Sequence, residues 1–364
     1  MQDSPADETT STDSESSPGG FGFLVLLLGV ALFLAVAWFD SRKPSVPRLS
    51  PAGRAEAADI CRKAREMSQV LTLENVAEAA DQLDRCVERY PAWEETYLVL
   101  ASLHRQTADR LKLPREAMQQ AASAIHSLLE LNPKHPAARA ELALYKLLYD
   151  WDWTGAEAEL QMALAGDPQN AEVRAWFARL LQVQGRLSAA RVEVERALQK
   201  DQSRVLPLTI FAHQLTLEGN LTGARSFLQK QMTQLPGNSL LIYELAAVAS
   251  EAGDHRQALD LLGEPGNEPQ SLAWSGVFLA KLGETNQAMA NLQKIKTLSR
   301  ERYVSPFYPA IVCSALGRKR EAFQHIGNAY TYRSPFIIGL KIDYPLKELA
   351  AEPRFRDMAR RVGL

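Results

Sequence analysis

Two small residues recur in phase along most of this chain. Alanines follow one another at intervals of 34 residues, with one interval of 30, at Ala156, Ala190, Ala224, Ala258, Ala288 and Ala322. Five of them are preceded, five residues earlier, by a glycine: Gly185, Gly219, Gly253, Gly283 and Gly317. Such a period is typical of stacked helical units, none of which buries its apolar face alone. The pattern predicts an all-α solenoid, in which glycine turns the chain and alanine lets paired helices approach closely.

The repeat resembles the tetratricopeptide repeat, a 34-residue helix–turn–helix with Gly at the turn, Ala early in the second helix and Pro at its end. The unit at residues 136–170 has these positions at Ala156, Leu160, Ala163 and Pro168. Weaker units precede it and end at Pro91 and Pro133. The resemblance implies about eight units within a solenoid at residues 54–344.

A different pattern closes the chain. Pro353 is suited to the first turn of a helix. An apolar stripe follows at helical spacing, formed by Phe355, Met358, Ala359 and Val362. We expect residues 345–364 to form a C-terminal capping helix, because the open end of a helical stack needs a cover with a polar outer face.

The N-terminal region contains a long apolar run. Residues 21–39 include no charged side chain. As a helix they would span about 28 Å at about 1.5 Å per residue, enough to cross a bilayer core. We therefore expect one transmembrane helix here, after a disordered acidic Ser/Thr-rich tail at 1–20 and before a proline-containing linker at 40–53. The alternative is a signal peptide cleaved after the Ala35–Ala37 segment.

Two segments allow a narrower comparison. The Tyr149-Asp150-Trp151-Asp152-Trp153 turn and Glu352–Phe355 are similar to the repeat arrays of bacterial membrane-tethered regulators. In those regulators a winged-helix DNA-binding domain, or a kinase, precedes the membrane segment. Only 20 residues precede the apolar run here, so we expect no such effector domain. The resemblance implies a bacterial anchored array, either a scaffold or a sensor.

The location of the array relative to the inner membrane is ambiguous. Four basic residues follow the apolar run closely, namely Arg42, Lys43, Arg48 and Arg54, and none precedes it. The positive-inside rule then places a single-pass protein with its array in the cytoplasm. The resembling regulators imply the opposite orientation, with the array in the periplasm.

Little in the sequence indicates catalysis, nucleotide binding or metal binding. Six histidines are scattered without metal-ligand spacing, and no nucleotide-binding or nucleophile motif occurs. We expect no enzyme, no cofactor and no metal. After the five acids of residues 1–39, the remainder has 41 bases and 38 acids, too even a balance for nucleic-acid binding.

Two small groups of residues leave alternatives open. Asp150 and Asp152 could be an acid/base pair or a cation site, but we interpret them as a solvated turn whose tryptophans pack on the neighbouring unit. Cys61 and Cys86 could form a bridge in an oxidising compartment. The simpler interpretation is that they are small buried apolar residues.

The candidate binding groove follows from the repeat. First helices line the concave face of such arrays, and stepping by the repeat interval selects Glu141, Tyr145, Arg179, Thr209, His213, Tyr243 and Phe307. Only two of these can be cationic, so we expect a neutral, partly apolar protein or peptide segment as the partner. The alternative is that several of these residues only pack between units. The predicted function is a membrane-anchored interaction scaffold; the alternative is the sensory half of a system whose effector is a separate protein.

Overall fold

A computed structural model describes residues 49–200 and 203–364. The predicted tail, transmembrane helix and most of the linker lie outside these residues. Among the helices that are described, none is both long and apolar enough to cross a bilayer.

The described chain is helical throughout. Its α-helices are α1 (Pro51–Met67), α2 (Leu73–Arg89), α3 (Glu94–Thr107), α4 (Pro114–Leu131), α5 (Pro136–Tyr145), α6 (Trp153–Gly166), α7 (Ala171–Val183), α8 (Leu187–Lys200), α9 (Val205–Leu217), α10 (Leu221–Gln234), α11 (Ser239–Glu251), α12 (His255–Leu262), α13 (Pro269–Lys281), α14 (Thr285–Glu301), α15 (Phe307–Ala315), α16 (Lys319–Thr331) and α17 (Pro353–Arg361). A π-helix, Lys146–Asp150, follows α5, and 3-10 helices form at Pro335–Gly339 and Tyr344–Leu349. Helices α1 to α16 make eight consecutive pairs, so the all-α solenoid is confirmed.

The two periodic residues have the predicted roles. Ala190, Ala224 and Ala258 are each 0% exposed, which confirms that they lie where helices cross. Gly185 has a φ of 74° and ends α7. The next N–H, of Arg186, donates to the Leu181 carbonyl at 2.8 Å, a helix stop that requires a left-handed residue. The single 30-residue interval has a local cause, because α12 has only eight residues.

The repeat stops after α16. The chain then follows a path of its own through residues 333–349, which we call the inner segment. Ile338, in this segment, is 4% exposed and belongs to the same apolar core as Leu144 and Leu181. The inner segment therefore lies against the first half of the array as well as the second.

Three of the four residues in the predicted stripe of the last helix are buried, and Met358 is partly buried. Phe355, Ala359 and Val362 are at most 3% exposed. The Trp153 indole reaches the end of this helix, since its Nε1 donates to the Val362 carbonyl at 2.8 Å. The C-terminal end of the chain thus contacts α6, although Trp153 and Val362 are 209 residues apart in the sequence.

The Tyr149–Trp153 turn has a partner that the repeat did not predict. Trp151 and Trp153 pack against an apolar core that includes Met118 of the neighbouring unit, and Trp151 also stacks on Tyr330 of α16 with ring centroids 5.2 Å apart. The physical reason is that the array winds until its end meets its middle. Asp152 is the N-cap of α6, and its Oδ1 accepts the Gly155 N–H at 2.9 Å. No cluster of metal-ligating side chains occurs in the described ranges.

A buried carboxylate joins an earlier loop to the end of the array. Asp109, in the loop after α3, is 1% exposed and has a φ of 63°. Its oxygens accept hydrogen bonds from the hydroxyls of Tyr303, Ser305 and Ser334. The loop between α3 and α4 is thereby joined to the residues on either side of the last helix pair.

The cysteines are buried thiols. Cys61 and Cys86 are free, and their sulfurs lie 3.6 and 3.3 Å from the Thr96 hydroxyl. Burial raises the pKa of the Cys61 thiol to about 11, which makes it a poor nucleophile at neutral pH.

Candidate functional site

The concave face contains two cavities, both lined mainly by the first helices of the pairs. The N-terminal cavity, of about 380 Å³, lies among α1, α3, α5 and α7. The C-terminal cavity, of about 310 Å³, lies among α7, α9, α11, α13 and α15 and is bordered by the inner segment. Trp176 of α7 lines both cavities, so they adjoin one another.

The inner segment occupies part of the predicted groove. Asp343 binds Arg179 of α7, the Tyr344 hydroxyl is 2.9 Å from the Ser250 hydroxyl of α11, and Glu348 pairs with Lys281 of α13. These contacts follow the first helices in order along the array. The groove in the C-terminal half is therefore partly filled by the chain itself.

The two candidate cations bind this segment rather than an open groove. Arg179 Nη2 donates to Asp343 Oδ1 at 2.8 Å, and its Nη1 lies 3.2 Å from His213 Nδ1. His213 Nε2 is 3.6 Å from the same carboxylate oxygen. Because these side chains are 16–24% exposed, the ion pair is shielded from water and holds the inner segment in place.

The aromatic and hydroxyl residues of the predicted groove also have contacts within the structure. Phe307 stacks on Phe336 of the inner segment at a centroid distance of 4.8 Å and is 6% exposed. The Tyr243 hydroxyl is 3.0 Å from the Ser271 hydroxyl. Thr209 Oγ1 donates to the Leu206 carbonyl at 3.0 Å. Together with Arg179 and His213, these residues surround the C-terminal cavity.

Glu141 and Tyr145 lie elsewhere. Glu141 lines the N-terminal cavity, where it accepts hydrogen bonds from Arg105 at 2.7 and 3.1 Å. The Tyr145 ring lies 5.5 Å from the Tyr149 ring and is outside the lining of both cavities. The structure thus brings five of the seven predicted residues to one cavity and separates the other two.

Glu244 was missed by the sequence reasoning. It lines the C-terminal cavity, and burial raises the pKa of its carboxyl to about 8. A signal for it exists in the repeat, because the column one residue after the predicted one also faces this cavity: Trp176, Ile210, Glu244, Trp274 and Tyr308.

Comparison with known protein families gives a match over one part of the array. A tetratricopeptide-repeat family model matches residues 147–207. No curated protein sequence matches the chain significantly.

Solved structures share the architecture at low sequence identity. A human IFIT1 dimer with m7Gppp-AAAA is 15% identical, with a TM-score of 0.57 over 76% of this chain and 72% of that one. The APC/C hetero-tetramer Cut9-Hcn1 is 19% identical, with a TM-score of 0.52 over 79% of this chain and 53% of that one. PilF of Pseudomonas aeruginosa is 23% identical, with a TM-score of 0.43 over 58% and 93% of the two chains. For the first two structures, sequence identities this low support a likeness of fold alone.

The family match and the paired helices agree. Tetratricopeptide-repeat proteins bind protein or peptide partners and generally serve as non-catalytic scaffolds. The identification of this chain as a tetratricopeptide-repeat protein is supported by the match at residues 147–207 and by the fold of the whole described array.

Proposed function

We propose that the chain is a protein-interaction scaffold that holds a partner segment on its concave face. The segment enters the N-terminal cavity, crosses Trp176 and reaches the mouth of the C-terminal cavity. The geometry supports this path, because both cavities are lined by first helices and meet at one side chain. The inner segment borders the C-terminal cavity, so the proposed path ends beside it.

The observation that carries the proposal is the position of the Trp176 indole. Its ring is partly buried and lines both cavities, so it forms an apolar surface that connects them. A side chain of the bound segment would pack against this ring, because aromatic rings contribute large apolar contact areas in binding cavities.

The N-terminal cavity favours a neutral, partly apolar segment. Its main ion pair, between Arg105 and Glu141, is internal and nearly buried, with side chains 13% and 11% exposed. The remaining lining includes apolar residues such as Leu98, Val99 and Leu144, together with polar residues and two charged ones. These two, Arg65 and Glu172, have ionic partners of their own. Such a surface gains most from apolar contact, with a few polar groups to fix the orientation of the segment.

A tryptophan pair provides a matched test. Trp93 is partly buried like Trp176, but it lies outside both cavities. Crosslinked partners purified from membranes with wild type should be reduced several-fold by Trp176→Phe and retained by Trp93→Phe. If both variants retain the partners equally, the segment does not cross Trp176 and the proposed path is incorrect.

We also propose that residues 21–39 anchor the array to a bacterial inner membrane. The proposal is supported by their length and lack of charge. The full chain should then resist extraction by carbonate, and recovery of a shortened chain beginning near Trp38 would instead indicate a cleaved signal peptide.

The flanking charges favour a cytoplasmic array. A C-terminal alkaline phosphatase fusion should therefore be inactive, while a C-terminal fluorescent protein should be bright. An active phosphatase would place the array in the periplasm, as in the regulators that the sequence resembles.

A further inference from the structure

The C-terminal cavity contains an acidic side chain that has no ionic partner at contact distance among the described residues. Four charged residues line it: Arg179, Glu244, Glu251 and Asp343. Arg179 and Asp343 pair with each other at 2.8 Å. Glu244 has no hydrogen bond and no ion pair with any described residue.

The lack of a hydrogen bond or ion pair is unusual for a carboxyl group in the position of Glu244. It lies on α11 and is half-buried, in the column where the neighbouring positions are Ile210 and Trp274. Removing a carboxylate from water is costly unless an opposite charge or hydrogen-bond donors compensate for it. A cation supplied by a ligand would provide that compensation.

The walls of the cavity suit the rest of a long cationic side chain. Tyr243, Trp274 and Phe336 present aromatic surface, and Leu240, at 46% exposure, lies on the rim. Aromatic faces attract ammonium and guanidinium groups, and the methylene stems of lysine and arginine pack on apolar surface. A cavity of about 310 Å³ has room for one such side chain.

We propose that the C-terminal cavity binds the cationic side chain of a lysine or arginine of the partner segment, with Glu244 as its counter-ion. This inference rests on the proposed function and specifies the chemistry of the partner. The segment is then neutral and apolar where it lies in the N-terminal cavity and carries a positive charge one cavity further on.

The protonation of Glu244 gives the site a dependence on pH. Burial, together with the negative charges of Asp343 and Glu251, raises the pKa of its carboxyl to about 8, although the positive charge of Arg179 opposes this increase. A bound cation favours the ionised form. Its affinity should therefore increase as pH rises towards about 8, by at most about tenfold per pH unit.

The test uses four blocked tripeptides, acetyl-Gly-X-Gly-amide, with Lys, Arg, Gln or norleucine as X. Blocking the ends leaves the side chain as the only charge. Each is titrated against the full chain in detergent, and binding is measured from the saturable increase in Tm. The variant is Glu244→Gln, and its control is Glu301→Gln, an exposed glutamate outside both cavities.

The Lys and Arg peptides should bind wild type and Glu301→Gln alike, and Glu244→Gln about tenfold more weakly, as expected for loss of a charge-assisted hydrogen bond. The Gln and norleucine peptides should bind weakly and be insensitive to the variant. Equal binding of all four peptides, cation binding that survives in Glu244→Gln, or no saturable shift would overturn the inference. If the Trp176→Phe test succeeds while this one fails, the scaffold function stands without the cationic site.

Discussion

Asp109 and Ser305 are 196 residues apart in the chain and are joined by a hydrogen bond of 2.8 Å from Ser305 Oγ to Asp109 Oδ2. Tyr303 and Ser334 donate to the same carboxylate. A simple helical stack needs no such contact, because each repeat touches only its neighbours. Here the carboxylate couples the stability of an early loop to that of the last helix pair.

This carboxylate should make stability depend on pH. Burial raises the folded-state pKa of Asp109 from 3.8 to about 6, so the folded chain holds this proton at a pH where the unfolded chain has lost it. The contribution of Asp109 to stability therefore falls as pH rises from about 4 to about 6, by about 3 kcal/mol in all. Asp109→Asn, which tolerates the left-handed backbone, should remove this part of the dependence.

The measurement is the free energy of unfolding in urea, for wild type and Asp109→Asn, at about pH 4 and about pH 7. Wild type should lose more stability than the variant between these two pH values. Parallel changes in the two proteins would show that Asp109 does not titrate in this range.

Arg333 should be a second site at which distant regions are coupled. Its Nη1 donates to the Tyr149 carbonyl at 2.9 Å, and its guanidinium lies 4.3 Å from the centre of the Trp151 ring. Arg333→Ala should cost about 2–4 kcal/mol, from lost hydrogen bonds and a lost cation–π contact. Arg354→Ala, an exposed control, should change stability by less than about 0.5 kcal/mol. Similar thermal unfolding of the two variants would contradict this.

The buried alanines give a test of the repeat register. Ala224→Arg inserts a large charged side chain where the native residue is 0% exposed, and we expect a loss above about 3 kcal/mol. Gln229→Arg adds the same side chain to the exposed face of α10 and should be nearly neutral. A melting temperature of Ala224→Arg within a degree or two of wild type would show that the register is wrong.

The repeated part of the fold was predictable because its causes are local. Each periodic glycine, such as Gly185, ends a first helix, and each periodic alanine, such as Ala224, lies where two helices cross. The period of these residues therefore locates the helices and their crossings. The stripe that includes Phe355 and Ala359 likewise indicated a buried face on the last helix.

The inner segment was not predictable in this way. It follows the end of the repeat, and its ion pair joins Asp343 to a residue 164 positions earlier. No period connects such residues, so the sequence places Arg179 in the groove without indicating its ion pair with the inner segment. Glu244 was missed because the column of first-helix residues that includes Tyr243 was considered, whereas Glu244 belongs to the column one residue later.

Photo-crosslinking from the concave face tests the central claim most directly. A photoreactive phenylalanine at Gln106 of α3 lines the N-terminal cavity, whereas the same residue at Gln119 of α4 lies on the exposed face of a second helix. Irradiation of cells should yield a discrete adduct from position 106, weakened by Trp176→Phe, and none from position 119. An adduct that forms equally from both positions, or only from position 119, would contradict a scaffold that holds its partner on the concave face.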